Sequence, residues 1–514
     1  MENGMNTCRI LAICLSAALA GIALSQRVRA DSPPVVSSAT ETTLQQGVDF
    51  AEKHEFRKAL DLLRPLAEQG NPKAQAYIGE IYSQGGFGVP KDEAQALAWY
   101  RKSAYQGDAD AQNDLGAMYE NGGSVVKDEA QAGVWYHKAA DQGNVHAQYN
   151  LGVMYANGHG VPKDEAQSFA WYRKAADQGH ARAQYNLGVI YAYGQGVVKD
   201  DAQAIAWFRK AAERGYALAQ YNLGVMYEHG RGVAKDDAQA VAWYRKAADQ
   251  GDADAQNNLG LMYANGRSVA KDDAQAVAWY RKAADQGDAD AQYNLGLNYN
   301  KGEGVAKDEA QAVSWYRKAA DQGYAGAELN LGVMYGKGQG VQQSYAQAAL
   351  WFARAAQRGD DTAVRNLELA VDKLPTLRMR GSVPVRANPE LTGTVVKTAA
   401  AGEVAYRLSQ FDHWYEVYFR DRNIVGYINT SQASVVVAEI PQPAKSPIRK
   451  AAYVEPTSNF PAAPATRPGV TSCNTRCNNG QCLRTYDSGK HVAFQAEHKF
   501  NAFNNEWEWD PGTC

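Results

Sequence analysis

The chain has 514 residues, enough for several domains, and carries 53 basic against 56 acidic side chains, a net charge of −3. Both signs are spread along the chain without basic runs, which excludes the electrostatic footprint of a nucleic-acid binder. Four of the six cysteines fall in the last 42 residues, so no disulfide framework is available to the long middle of the chain.

In chain order, residues 1–30 read as a secretory signal peptide. Arg9 supplies a positive start, Ile10 to Ser25 is apolar, and Val28-Arg29-Ala30 is a small-residue cleavage site before Asp31. An uncleaved anchor is the rival, but the run is short for a membrane span. Cleavage leaves a net charge of −5 and no membrane span, because residues 1–30 hold Glu2 against Arg9, Arg27 and Arg29. Residues 31–43 are a polar lead-in. From Leu44 a divergent unit begins, with Phe50, Phe56, Leu60, Leu63 and Leu66 at helical spacing, as expected of a solubilising end repeat.

A unit of 36 residues then repeats. Lys235–Ala270 and Lys271–Ala306 are identical at 30 of 36 positions, and an aromatic pair marks each copy. The tryptophans of those pairs are Trp99, Trp135, Trp171, Trp207, Trp243, Trp279, Trp315 and Trp351. A fixed period of this size means stacked supersecondary units. The caps divide each unit into two helices. Asp252 opens one that runs to Ala264 before Gly266, and Asp272 opens a second that runs to Gln286 before Gly287. On the first, Ala255, Leu259, Met262 and Tyr263 form one stripe facing the second. On the second, Ala274, Ala278, Trp279, Ala283 and Ala284 place small residues around a tryptophan that fills the space between repeats. The fold class expected is mainly α: an α/α superhelical solenoid of helix-turn-helix repeats over residues 44–374, with Thr362–Leu374 as an unpartnered closing helix.

The pattern from Tyr155 through Gly160, Val161, Asp164, Ala170, Trp171, Tyr172, Lys174, Gly179, Ala183 and Gln184 to Leu187-Gly188 resembles the Sel-1-like repeat, a relative of the tetratricopeptide repeat. The resemblance recurs eight times. It implies protein–protein interaction, and it implies that the first helices line a concave surface. Off the core stripe those helices carry Tyr149, Asn150 and Val153, then Tyr185, Asn186 and Val189, then Tyr221, Asn222 and Val225. Asn257, Asn258 and Leu261 come next, and Tyr293, Asn294 and Leu297 close the series. Two readings stand for this stripe. Either it is a groove whose amides bond a partner's backbone, or it packs repeat against repeat.

The helical period stops at Leu374-Pro375. Residues 375–440 hold short alternating runs: Val383–Arg386, Leu391–Val396, Gly402–Tyr406, His413–Phe419 and Val425–Ile428. The succession V-x-V-R, G-x-V, W-Y-x-V and G-Y-I is similar to bacterial SH3-like domains, small β-barrels. Ala387-Asn388-Pro389 stands where that family has a Gly-Pro or Ser-x-Pro turn. This resemblance implies binding of peptidoglycan or of a second envelope partner. Trp414 is either core or a ligand platform. Residues 441–472 form a Pro-rich linker, with seven of the 17 prolines between Pro441 and Pro468. In the tail module, residues 473–514, Cys473, Cys477, Cys482 and Cys514 are expected to form two disulfides in any of three connectivities. A zinc site that adds His491 or His498 is disfavoured, since no C-x-x-C pair exists.

The chain holds no G-x-S-x-G, H-E-x-x-H, P-loop or dinucleotide fingerprint, and its carboxylates recur in repeat register, as solvated faces do. No catalytic residue, cofactor or metal is expected. The favoured function is an exported, non-catalytic scaffold in the bacterial periplasm or outside the cell, binding one or more proteins through the solenoid. The alternative is a peptidoglycan- or polysaccharide-associated envelope hydrolase or its regulator.

Overall fold

The computed structural model describes residues 38–420, 424–431 and 435–438, and backbone strands between residues 473 and 510. Residues 1–30, expected as a signal peptide, and residues 441–472, expected as a Pro-rich linker, lie outside the described residues. Among those described are 19 helices, followed by strands. The chain divides into two compact units, residues 1–175 and 176–514.

Unit one begins with helices Ser38–Glu52 and Phe56–Glu68. The first takes in residues 38–43, expected as lead-in; there the Thr42 and Thr43 hydroxyls donate back to the carbonyls of Ser38 and Ala39, one turn earlier. Hairpins of 13-residue helices come next: Pro72–Gln84 with Glu93–Tyr105, Ala109–Asn121 with Glu129–Asp141, and Val145–Asn157 with Glu165–Asp177, which crosses into unit two. The extra residue of the first turn is absorbed where Gly86 pairs with Val89. Unit two repeats the hairpin from Ala181–Tyr193 to Tyr345–Gln357 and adds a last helix, Asp361–Val371.

The bounds are set by local chemistry. In one representative hairpin the helices are Ala253–Asn265 and Asp273–Asp285. The Asp252 carboxylate accepts from the Ala255 N–H, and that of Asp272 from Gln275. These are donors a helix start leaves without partners. Gly266 ends the first helix in the left-handed region, at φ 64°.

The core differs from the expected one in its phase. Ala274 and Ala278 are exposed, and the buried face of the second helix is Ala276, Val277, Tyr280, Ala283 and Ala284. It is the tyrosine of the aromatic pair that is fully enclosed: Tyr136, Tyr172, Tyr244, Tyr280 and Tyr316 are among the largest fully buried side chains. The reason is helical phase. At 100° per residue, position 280 lies on the 276–283–284 stripe, and 279 lies on its shoulder. The tryptophan there packs on the cluster of the preceding repeat, as with Trp279 on Val241 and Met262, and Trp315 on Val277 and Leu295. Its outer ring face carries a lysine, Lys282 over Trp279 at 3.8 Å.

Two further contacts set the helix spacing. A glycine in each first helix of the repeats lets the next buried aromatic ring, tyrosine or phenylalanine, come close: a Cβ on Gly260 would meet Tyr280 Cε1 at 2.6 Å, and one on Gly188 would meet Phe208 Cδ1 at 2.5 Å. A glutamine ladder joins repeats. Gln256 Nε2 donates to the Ala248 carbonyl, and its Oε1 accepts from Gln286 Nε2 at 2.8 Å.

After the last helix come β1 (Thr376–Met379), β2 (Val383–Arg386), β3 (Val395–Ala399), β4 (Val404–Phe411), β5 (Trp414–Phe419), β6 (Ile424–Asn429) and β7 (Val435–Ala438). They form one antiparallel sheet in the order β3-β2-β6-β5-β4-β1-β7. Leu377, Val385, Val417, Phe419 and Ile428 are its core. Trp414 is buried, which favours the packing reading for it. The closing helix has a partner: Leu374 and Val371 share one cluster with Leu408 of β4 and Tyr418 of β5. Arg420 pairs with Asp372 at 2.5 Å and lies over the Tyr406 ring. Lys397, on β3, is buried against Phe419 and pairs with Glu403 at 2.5 Å. In the tail, β8 (Cys473–Asn478), β9 (Gln481–Tyr486) and β10 (His491–Gln495) form a three-stranded sheet, and β11 (Glu497–Asn501) pairs with β12 (Glu506–Asp510).

Candidate binding face of the first helices

The stripe singled out in the sequence lies on one side of the first helices, and its members differ in access. Tyr149, Asn150, Val153, Tyr185, Tyr221, Asn222, Val225, Asn258, Leu261, Tyr293 and Leu297 are half-buried. Asn186, Val189, Asn257 and Asn294 are buried, which places them beneath the face rather than on it. Two amide pairs run from repeat to repeat: Asn150 Nδ2 donates to Asn113 Oδ1 at 3.1 Å, and Asn294 Nδ2 to Asn257 Oδ1 at 3.0 Å. Asn222 Nδ2 turns back to the Leu218 carbonyl of its own helix. For these amides the packing reading has a specific contact behind it. The tyrosines sit tilted against the buried aromatics, as with Tyr221 and Tyr244, whose centroids are 5.9 Å apart. Tyr293 meets both Tyr316 and Tyr324, the latter at 4.8 Å.

Sequence reasoning missed the carboxylates of this face. In unit two Asp254 and Asp290 are exposed, and the helix-capping Asp252 and Asp288 are half-buried. Burial, opposed by the Ala291 N–H and reinforced by Asp290, Asp254 and Asp252, pushes the Asp288 carboxyl up to about 6. Asp254 is raised by the partial desolvation that the packed helices around it impose, although its side chain reaches solvent, and then by the charge of Asp290. Burial raises the Tyr221 hydroxyl, and Asp254 and Asp252 raise it further. Burial and then Asp290 do the same to Tyr324. The acids therefore press on one another and on the tyrosines of the stripe. In unit one a comparable group surrounds Asp114, which burial, with Glu80 and Asp110, pushes up to about 6 against hydrogen bonds from Asn113 and Tyr100. The signal was available: Asp290 precedes Tyr293 by three residues and Asp254 precedes Asn257 by three, one helical turn on the same side.

The eight tryptophans hold positions between repeats. Trp135, Trp171, Trp207, Trp315 and Trp351 are buried, while Trp99, Trp243 and Trp279 are half-buried. Of the cysteines, Cys473, Cys477 and Cys482 lie on described strands, and Cys514 lies outside the described residues. Among the described residues no group of His, Cys, Asp and Glu is placed to hold a metal ion. No helix among them is long and apolar enough to cross a membrane.

No curated protein matches the chain. Among solved structures it is similar to a protective antigen of uropathogenic Escherichia coli strains displaying an SLR fold, at 34% identity over 65% of this chain and 88% of that one, TM-score 0.40. It is similar to a Sel1 repeat protein from Oxalobacter formigenes at 36% identity, over 60% of this chain and 89% of that one, TM-score 0.47. Cysteine rich protein B of Helicobacter pylori is 29% identical over 25% of this chain and 92% of that one, TM-score 0.22. The Sel1 repeat model matches residues 72–108, 109–144, 145–180, 181–216, 217–252, 253–288, 289–324 and 325–360, the same hairpins that the caps, glycines and buried tyrosines delimit. With more than half of its length in those eight matches, the chain belongs to the Sel1 repeat family.

Proposed function

We propose that the chain is an exported, non-catalytic scaffold of the bacterial envelope that holds a protein partner on the first-helix face. The observation that carries this reading is the set of half-exposed tyrosine and aliphatic side chains on the first helices, Tyr221, Val225, Leu261, Tyr293 and Leu297 in unit two, with Asp252, Asp254, Asp288 and Asp290 beside them. Sel1 repeats typically mediate protein–protein interaction, and tyrosine offers contact area at low entropic cost. The carboxylates Asp252, Asp254, Asp288 and Asp290 fit a partner segment that carries lysine or arginine, and such binding weakens as salt screens it. The sheet of residues 376–438, read as SH3-like, supplies a second contact, with peptidoglycan or another envelope component.

The test is crosslinking in intact envelopes followed by capture through the full chain, comparing the wild type with Tyr221→Ala/Tyr293→Ala. Loss of a partner by the double variant, with melting lowered by no more than a few degrees, supports the reading. An unchanged capture pattern places the binding surface elsewhere. The export part is checked separately: N-terminal sequencing of the protein from the producing cell should begin at Asp31, and residues 10–15 still present would refute cleavage.

A further inference from the structure

We infer that Cys477 and Cys482 close a disulfide across the β8–β9 hairpin. The inference rests on the export reading, because an oxidising compartment must supply the oxidant.

The backbone register selects among the three connectivities. β8 and β9 pair antiparallel with Cys477 opposite Cys482 and Asn478 opposite Gln481, while Cys473 stands opposite Tyr486. The two residues between the paired strands are Asn479-Gly480, the dipeptide that two-residue hairpin turns prefer. Directly opposite residues of an antiparallel pair have Cα atoms about 4.5 or 5.5 Å apart, according to the type of pair. A disulfide spans Cα separations of about 4.4–6.8 Å. Opposite residues of a pair also share one face of the sheet. The other connectivities fail on distance. Cys473 and Cys477 are four residues apart on one strand, about 13 Å at the strand rise. Cys473 and Cys482 are separated by the same four-residue step along the ladder, because the partner of Cys473 is Tyr486. Neither pair can be bridged while the hairpin stands.

The chemistry balances as thiol–disulfide exchange. The two thiols give up two protons and two electrons and form one S–S bond. The electrons reduce the disulfide of an exchanging oxidant to two thiols.

The experiment uses the full chain, purified from the exporting cell without reductant, alkylated and cleaved after lysine and arginine. Cleavage after Arg476 and Arg484 isolates residues 477–484 with both cysteines. The expected result is that this peptide is unalkylated and lighter by two hydrogens than its reduced form. A 477–484 peptide joined to one containing Cys473 or Cys514 overturns the pairing. If all four cysteines are alkylated, export has failed, and the same chain is oxidised with glutathione disulfide and mapped again. An internal 477–484 link then supports the pairing on its own, and any other link, or cysteines that stay alkylatable, overturns it. Cys473→Ser/Cys514→Ser should retain the internal link.

Discussion

Gly260→Ala should destabilise the protein, although alanine is the better helix former. Gly260 sits inside the helix Ala253–Asn265, where replacing glycine by alanine ordinarily gains about 1 kcal/mol. Here an added Cβ would lie 2.6 Å from Cε1 and 2.7 Å from Cδ1 of Tyr280. Carbon atoms rest about 3.5–4 Å apart, so ring and helix must separate by about 1 Å. Tyr280 has little room to yield: it is 1% exposed and packed among Ala276, Val277, Ala283, Ala284 and Trp315. Overpacking of this kind costs about 1–3 kcal/mol, so the net loss should be about 1–2 kcal/mol. The assay is urea unfolding by circular dichroism together with amide exchange, since repeat arrays need not unfold in one step. The same substitution made in Tyr280→Ala should be stabilising, because the obstacle is gone. If Gly260→Ala raises the midpoint in both backgrounds, the close approach of glycine to ring is not what fixes this position.

Asp288→Asn should stabilise at neutral pH. The folded carboxyl titrates near 6, above its ordinary 3.8, so its contribution to stability is full below 3.8 and lost as pH rises through 6. Asparagine keeps the acceptor for Ala291, as Asn144 does for Ala147 in its own repeat, and removes the charge. The gain, discounted for partial exposure and a lost dipole interaction, should be about 1–2 kcal/mol at pH 7 and vanish at pH 4, read from urea midpoints at the two pH values. Arg214→Gln should add about 1 kcal/mol, because Gln184 Oε1 is buried without a hydrogen-bond partner where Gln220, Gln256 and Gln292 each receive one from a glutamine of the next loop. A lower midpoint would show that Arg214 makes a more valuable contact. Tyr418→Ala should cost about 3 kcal/mol and speed amide exchange in Asp361–Val371, since Tyr418 fills the junction between sheet and closing helix. Arg420→Ala, which removes a half-exposed ion pair, should cost less than about 1 kcal/mol. Equal effects of the two would mean that the junction is held by charge.

The period, the helix bounds and the family were legible in the sequence, because each rests on contacts within a few residues. Asp252 and Asp272 each cap the helix that starts at the very next residue, and Gly266 ends its helix by its own backbone freedom. Helix phase was legible only in part. The aromatic pair marked the core, but a shift of one position, about 100°, decides whether tryptophan or tyrosine is enclosed, and that depends on where the neighbouring helix lies. Tyr280 is enclosed because Gly260 leaves room for its ring, a contact between residues 20 apart in sequence. Access along the stripe was decided in the same way. Asn294 is buried because Asn257, 37 residues earlier, receives its amide, whereas its neighbour Tyr293 keeps an open edge. Neither the mutual pressure of Asp254 and Asp290 nor the seating of Leu408 and Tyr418 on Leu374 can be read from local pattern. Caps and turns are settled by the chain's own next few atoms; burial, charge coupling and docking are settled by whichever distant residues the stacked helices bring alongside.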